Sequence, residues 1–126
     1  MRIVLSYQSD LQIYEQIKEH IKTDILSGQI SEGDALPSIR QLARELKVSV
    51  ITTTRAYSDL ELEGFISTVP GKGCYVKQVD SAIIRAQYLQ RTEAALMVAL
   101  QHASTAGLTT REIHDLLDKL KEQADA

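Results

Sequence analysis

The chain has 126 residues, of which 44% are hydrophobic and 25% are charged, and its formal net charge is −3. This apolar fraction is normal for a globular protein and excludes a wholly disordered chain. No run approaches the ~18 consecutive apolar residues of a membrane span, and the N-terminal segment lacks the apolar region of a secretory signal. The single cysteine, Cys74, excludes an internal disulfide framework. We therefore expect a cytoplasmic protein that does not associate with a membrane.

The first predicted element is an amphipathic helix over residues 11–27. Its apolar side chains recur at helical spacing, at Ile13, Tyr14, Ile17, Ile21 and Ile25. Asp10 is a suitable N-cap, and Gly28 suits the C′ position that follows the helix. Residues 29–37 are rich in turn-forming side chains and are predicted to form a link.

A short second helix is predicted over residues 39–46. Ser38 can cap it, and Gln41 follows three residues later, as in a capping box. Around this helix lies a local basic cluster, in which residues 36–56 hold Arg40, Arg44, Lys47 and Arg55 against the single acidic Glu45. Such a patch can bind an anion such as DNA phosphate. A solvated helix face would have the same composition.

Ser49 can cap a third helix that runs to about Glu63, with Gly64 as its stop. The β-branched run over residues 48–54 also suits a strand by propensity. We predict a helix because the inner apolar stripe continues at helical spacing, through Thr53, Ala56, Tyr57 and Leu60. Residues 65–77 then predict a β-hairpin, in which Pro70 and Gly71 occupy the central positions of a type II turn.

Two helices are predicted in the remaining tail. The first covers residues 81–106, and the second covers residues 110–123 after a capping box of Thr109 and Glu112. Their apolar stripes are too broad to be covered by a single two-helix tail, so we predict that two tails pack together in a homodimer. The predicted dimerisation residues are Ile84, Tyr88, Ala95, Ala99, Ile113, Leu116, Leu117 and Leu120.

The order of these elements predicts a mainly α fold with a small β-hairpin (α+β). Three helices followed by a hairpin describe a winged helix-turn-helix, in which the third helix enters the DNA groove and the hairpin is the wing. We expect this domain to occupy residues 1–79 and the two-helix dimerisation region to occupy residues 80–126.

Three motifs resemble one family. The G-x-x-L-P-S-x-R-x-L-A stretch over residues 33–43, the L-E-x-E-G-x-I stretch over residues 60–66 and the G-K-G of residues 71–73 together resemble the DNA-binding domain of the GntR family of bacterial transcription regulators. The likeness covers roughly residues 11–77. The tail, with A-x-x-A-G-L-T-T-R-E-I over residues 103–113, resembles the short-tailed YtrA-like branch.

The resemblance implies a sequence-specific, homodimeric DNA-binding regulator. In that branch the tail helices serve chiefly to dimerise, and members are commonly repressors of nearby transporter genes. It implies a two-fold double-stranded DNA operator as the partner, and the small-molecule effector stays unknown. The predicted DNA-binding residues are Ser38, Arg40, Ser49, Val50, Thr52, Thr54, Arg55, Gly71 and Lys72.

The side chains of the two capped helices have distinct predicted roles. The free amides behind Ser38 and Ser49 can hold phosphate oxygens. Arg40 matches the family's DNA-contacting arginine and can clamp a guanine edge or a phosphate, although a surface salt bridge with Glu45 is the alternative. Lys72 at the wing tip can enter a minor groove or contact a phosphate, or it can be a solubilising turn lysine.

The start of the third helix departs from the family pattern. Many members have arginine directly after the cap and again four residues on, where this chain has Val50 and Thr54. Thr52 and Thr54 can contact a base edge, a phosphate or a thymine methyl, or can be plain surface. Val50 is our candidate for the groove, whereas Ile51 can contact thymine or pack in the core.

Other functions lack a supporting pattern. No acid–base or nucleophile constellation is present, and G-K-G lacks the Walker spacing. The three histidines lack metal-ligand spacing. We therefore expect no enzyme activity, no cofactor and no metal. A winged-helix protein-interaction module without DNA binding is the alternative, and it would require large exposed apolar side chains in place of the polar and basic ones.

Overall fold

The structure is a computed structural model that describes residues 2–125. Within these residues, five helices and an antiparallel hairpin confirm the predicted fold class and element order. The elements are α1 (Ile13–Leu26), α2 (Ile39–Leu46), α3 (Val50–Leu62), β1 (Ile66–Val69), β2 (Gly73–Val76), α4 (Ser81–Ala106) and α5 (Thr110–Asp125). The chain divides after Ser81 into two compact units.

The core of the first unit lies between its three helices and the hairpin. Helices α1 and α2 both pack against α3, and α3 also contacts β1. The helical stripes predicted from the sequence supply the core, in which the most deeply buried side chains are Ile17, Ile21, Leu42, Thr53, Leu60 and Ile66. Residues 48–54 therefore lie in a turn and a helix and not in a strand, because this stripe requires the 3.6-residue period.

The caps of α2 and α3 are confirmed. The Ser38 Oγ accepts a hydrogen bond from the Gln41 amide at 3.0 Å, and the Ser49 Oγ accepts one from the Thr52 amide at 3.0 Å. The capping box of α2 is only half formed, because the Gln41 side chain donates to Glu45 Oε1 at 3.1 Å instead of turning back to Ser38.

The predicted N-cap of α1 is wrong. The helix begins at Ile13, with Gln12 as its N-cap, and the Gln12 side chain makes no capping hydrogen bond. The preceding segment is held by Gln16, whose Nε2 donates to the Ser6 carbonyl while its Oε1 accepts from the Ser6 amide, both at 2.8 Å. These two hydrogen bonds join the segment before α1 to the first turn of the helix. Asp10 lies outside the helix and does not cap it.

The hairpin has the predicted turn, and β2 has a second pairing partner besides β1. The Lys72 amide donates to the Val69 carbonyl at 2.9 Å, and Gly71 has a φ of +77°, as the third position of a type II turn requires. The link before α2 also pairs with β2, through a bridge between Ala35 and Tyr75. Part of the segment predicted as a turn-rich link thus anchors α2 to the hairpin.

The second unit consists of α4 from Ala82 onward and α5. Gly107, with a φ of +72°, follows α4. The capping box of α5 is complete, because the Glu112 amide donates to Thr109 Oγ1 and the Thr109 amide donates to Glu112 Oε1, each at 3.1 Å. Helix α5 ends at Asp125, two residues beyond its predicted end.

Candidate nucleic-acid interface

The corner between α2 and α3 is fixed by backbone and side-chain hydrogen bonds. Lys47 ends α2 in the left-handed region, with a φ of +57°, and the Val48 amide donates to the Ala43 carbonyl at 3.0 Å. The Tyr57 hydroxyl donates to the Pro37 carbonyl at 2.7 Å, and burial raises the pKa of Tyr57 above its usual range. The start of α2 is thereby tied to the middle of α3.

Arg40 lies exposed in the first turn of α2, as predicted. Within residues 2–125 it forms no ion pair, so the alternative salt bridge with Glu45 is absent, and Glu45 instead accepts a hydrogen bond from Gln41. Arg44, one turn later, is exposed and likewise has no ion pair in that range. Two guanidinium groups are therefore available on α2 for an anion.

The first turn of α3 presents apolar side chains to solvent. Val50 is 48% exposed and Ile51 is 82% exposed. The alternative that Ile51 packs in the core is therefore wrong. The sequence did contain the signal, since the buried stripe of α3 lies on the opposite side of the helix from Ile51 at 100° per residue.

The threonine hydroxyls of α3 make local hydrogen bonds. Thr52 is half-buried, and its Oγ1 accepts from the Ser49 Oγ at 2.8 Å. Thr54 is exposed, and its Oγ1 donates to the Val50 carbonyl at 2.7 Å. The hydroxyl proton of Thr54 is thus already used by the helix backbone, which limits its use as a hydrogen-bond donor to a base.

Arg55 has an intramolecular partner that the sequence did not reveal. Its guanidinium carbon lies 3.8 Å from the centre of the Tyr14 ring on α1, within the range of a cation–π contact. The Arg55 side chain is still exposed, but this stacking directs it along α1. Its predicted DNA contact would require the guanidinium to serve both partners.

The wing tip carries Gly71 and Lys72, which are both exposed. The Lys72 carbonyl accepts from the Tyr75 hydroxyl at 3.2 Å, so the backbone of the tip is tied to β2. The Lys72 ammonium forms no ion pair with any described residue. The wing therefore offers a free cation on a fixed turn.

The lysines of α1 differ from the free cations of α2 and the wing, because acidic residues pair with them. Lys22 is only 3% exposed, and its Nζ lies 2.5 Å from Glu63 Oε1, while Lys18 pairs with Glu63 at 3.2 Å and with Asp59 at 3.7 Å. Burial alone would raise the pKa of Glu63, but the hydrogen bonds from Lys22 and Lys18 outweigh burial and lower this pKa below its usual value. This cluster stabilises the contact between α1 and the end of α3 and leaves no free cation there.

In the second unit, an apolar groove opens between α4 and α5. Its volume is about 710 Å³, and its α5 side is formed by the predicted residues Ile113, Leu116, Leu117 and Leu120. On α4 only one of the predicted residues, Ala99, lines the groove. The other apolar lining residues, which are not among the predicted dimerisation residues, are Leu96, Leu100, Ala103, Ala106 and Leu108. The predicted Ile84, Tyr88 and Ala95 lie toward the start of α4, outside the groove lining.

The described residues contain no group of three or more His, Cys, Asp or Glu side chains that could hold a metal ion. Over the same span, no helix is both long and apolar enough to cross a membrane.

Comparison with known proteins identifies the family. Residues 13–76 match the family model for bacterial regulatory proteins of the gntR family. The HTH-type transcriptional repressor YtrA of Bacillus subtilis (strain 168) is 30% identical over 118 residues, which cover 94% of this chain and 91% of YtrA. The match to YtrA therefore includes the short tail.

Two solved structures have the same fold. A transcriptional antiterminator from Listeria monocytogenes EGD-e is 30% identical with a TM-score of 0.75, over 96% of this chain and 90% of that one. The DNA-binding domain of AraR, solved in complex with operator ORE1, is 30% identical with a TM-score of 0.52, over 60% of this chain and 93% of that one.

These relatives confirm the predicted family and its YtrA-like branch, and they give no support to a protein-interaction module without DNA binding. The family is a class of transcription regulators, so the chain is not an enzyme. The protein thus belongs to the GntR family of bacterial regulatory proteins and is a DNA-binding transcription regulator.

Proposed function

We propose that the protein is a repressor of nearby genes, transporter genes among them, and that it binds a two-fold DNA operator in the cytoplasm as a homodimer. In this proposal residues 1–79 bind DNA and residues 80–126 dimerise. The similarity to the repressor YtrA supports the direction of regulation, and the operator complex of AraR supports operator DNA as the partner.

The observation that carries the DNA contact is the distribution of neutralised and free cations. Lys18 and Lys22 on α1 are paired with carboxylates, whereas Arg40, Arg44 and Lys72 have no ion pair within the described residues. These free cations lie on α2, which packs against α3, and at the tip of the wing, and their availability supports phosphate binding. Ser38 and Ser49 each cap a helix N-terminus whose free amides can hold a phosphate oxygen.

The residues that we propose to contact DNA have different roles. Arg40 and Lys72 bind through their charge, and the amides behind Ser38 and Ser49 hold phosphate oxygens. The remaining proposed contacts are made by Val50, Thr52, Thr54, Arg55 and Gly71. Among these, Thr52, Thr54 and Arg55 have intramolecular partners, so we expect them to contribute less than Arg40.

The observation that supports dimerisation is the uncovered apolar surface of the second unit. Leu116, Leu117 and Leu120 are between 39% and 50% exposed, although they line one groove. A second copy of the chain would cover the same stripe on both partners, as a two-fold interface requires. The hydrophobic burial would stabilise the dimer. Ile84, Tyr88 and Ala95 would extend the proposed interface toward the start of α4.

Sedimentation at micromolar concentration tests the dimer. We expect about twice the chain mass of 14.0 kDa, and we expect the monomer mass for a Leu116→Glu/Leu120→Glu variant, because two charges would be buried in the interface. Arg111→Glu is the control, since residue 111 lies on the other side of α5 from this stripe. A monomer for the unaltered chain, or an unchanged dimer for the double variant, contradicts the proposal.

Selection of bound DNA from a random pool tests operator binding, and Arg40→Ala tests the role of α2. If Arg40 contacts a base, the variant should bind the selected operator ~1–3 kcal/mol more weakly. If it contacts only phosphate, binding to all sequences should weaken together. The slope of the logarithm of the binding constant against the logarithm of the salt concentration should then fall in magnitude by about one. Arg111→Ala, with the same charge change in the second unit, is the control. No change in either quantity would show that α2 does not contact DNA.

A further inference from the structure

Two large apolar side chains are exposed at the start of the proposed recognition helix. Val50 is 48% exposed and Ile51 is 82% exposed, directly after the cap residue Ser49. Thr54 lies between them on the helix surface, because it follows Ile51 by three residues and Val50 by four. Ile51 lies opposite the buried stripe that packs the helix into the first unit, whereas Val50 lies nearer the edge of that stripe, which agrees with its lower exposure.

The hydroxyl groups of the same turn already make hydrogen bonds within the protein, so fewer are free to bind base edges. The Thr54 hydroxyl donates to the Val50 carbonyl, and the Thr52 hydroxyl oxygen accepts from Ser49. Neither arginine nor any other charged side chain is present between Ser49 and Arg55, and Arg55 is stacked on Tyr14. The first turn of α3 is therefore better suited to an apolar contact than to hydrogen bonds with base edges.

The major groove of DNA presents one apolar group among its base edges, the C5 methyl of thymine. We propose that Ile51 and Val50 recognise thymine by packing against this methyl group, and that Ile51 is the main determinant. The inference rests on the proposed function, because it assumes that α3 lies in the major groove. It assigns a specificity-determining role to Ile51.

A protein partner that binds Val50 and Ile51 is less favoured than a thymine methyl. Two adjacent side chains are far smaller than the ~800 Å² that each partner buries in a standard protein interface. The nearest other large exposed apolar residue on α3 is Leu62, which lies about 16 Å along the helix axis at 1.5 Å per residue. The patch instead has the size of a methyl-binding contact.

Replacement of thymine by deoxyuridine tests the proposal, since it removes only the C5 methyl. The full chain is first used to select an operator from random DNA. Each thymine of one half-site is then replaced in turn, and binding is measured at one salt concentration. We expect one or two positions at which the loss of the methyl weakens binding about fourfold, the effect of burying one such group.

The matched variants are Ile51→Ala and, as a control at the other end of α3, Leu62→Ala. With Ile51→Ala, the sensitive positions should no longer distinguish thymine from deoxyuridine, because the side chain that contacts the methyl is gone. With Leu62→Ala, the fourfold difference should remain. Val50→Ala should give a smaller reduction of the difference. Circular dichroism of each variant checks that the helices are intact.

The possible outcomes separate the inference from the proposed function. If the random pool yields no enriched sequence, operator binding itself is contradicted, and the thymine proposal fails with it. If an operator is obtained but no thymine position is sensitive to the methyl, the proposed role of Ile51 alone is wrong. An equal effect of deoxyuridine on the unaltered chain and on Ile51→Ala also overturns it.

Discussion

At the scale of single residues, several side chains in the first unit have partners that are distant in sequence. Lys22 pairs with Glu63, and the Tyr57 hydroxyl donates to the Pro37 carbonyl. The sequence predicted that Tyr57 lies in the core, because its spacing belongs to the stripe of α3. It did not predict that Lys22 would be buried, since a lysine on an amphipathic helix is normally solvated and only the folded chain brings Glu63 beside it.

Lys47 adopts a backbone conformation that disfavours its own side chain. Its φ of +57° is left-handed, which costs residues with a Cβ about 1–2 kcal/mol. We expect Lys47→Gly to raise the free energy of unfolding by about 0.5–1 kcal/mol, since the relief of strain exceeds the added entropy of the unfolded chain. Urea unfolding of the full chain, with and without the substitution, measures this change in the free energy of unfolding.

Lys47→Ala is the control for this prediction. It removes the same charge but keeps the Cβ, so it should leave the strain in place and give no such gain. Equal stabilities of the glycine and alanine variants would show that the left-handed backbone is not strained by the side chain.

At the scale of elements, local signals in the sequence predicted most of the structure. Ser38, Ser49 and the pair Thr109–Glu112 cap their helices as predicted, because these hydrogen bonds connect residues only three positions apart. The predicted start of α1 was wrong because the segment before the helix is held by contacts between Ser6 and Gln16, which are ten residues apart. In the candidate site, the exposure of Arg40 and Lys72 followed from their positions, whereas the stacking of Arg55 depends on how α1 packs on α3.

The contact between α1 and the end of α3 should depend on pH through Glu63. The pKa of Glu63 is lowered in the folded chain, so its contribution to stability is fully present above its ordinary value near 4.5 and is lost as the pH falls through the lowered pKa. Glu63→Gln should reduce the free energy of unfolding at pH 7 by about 1–2 kcal/mol, because the buried Lys22 loses its shortest ion pair and keeps only the longer one with Glu19, at 3.6 Å.

Urea unfolding of both proteins between pH 7 and pH 3 measures this difference, which should shrink below about pH 4.5. Glu32→Gln, which removes the same charge from an exposed residue, should change stability little at any of these pH values. A difference between Glu63→Gln and the unaltered chain that stays constant over the whole range would contradict the role of the carboxylate.

At the scale of the whole molecule, the two units have surfaces of different chemistry. The first has free cations and an exposed apolar turn beside capped helix N-termini, and the second has an uncovered apolar groove. The sequence predicted the apolar stripe of α5, whereas the groove lining on α4 begins at Leu96, beyond the predicted Ile84, Tyr88 and Ala95. The stripe of α4 is ambiguous because apolar residues occur on more than one side of this helix, and the groove shows which side faces α5.

Titration of full and half operators with the dimer-breaking variant tests the central claim most directly. The selected operator and one isolated half-site are each titrated with the unaltered chain, with Leu116→Glu/Leu120→Glu and with Arg111→Glu, at one salt concentration. Because a dimer holds its second DNA-binding unit at high effective concentration, the double variant should lose roughly 10²–10⁴ in affinity for the full operator. Its affinity for the half-site should barely change, and the control should match the unaltered chain on both. Equal losses on the two DNAs, or no loss on either, would contradict a dimer that binds a two-fold operator through its tails.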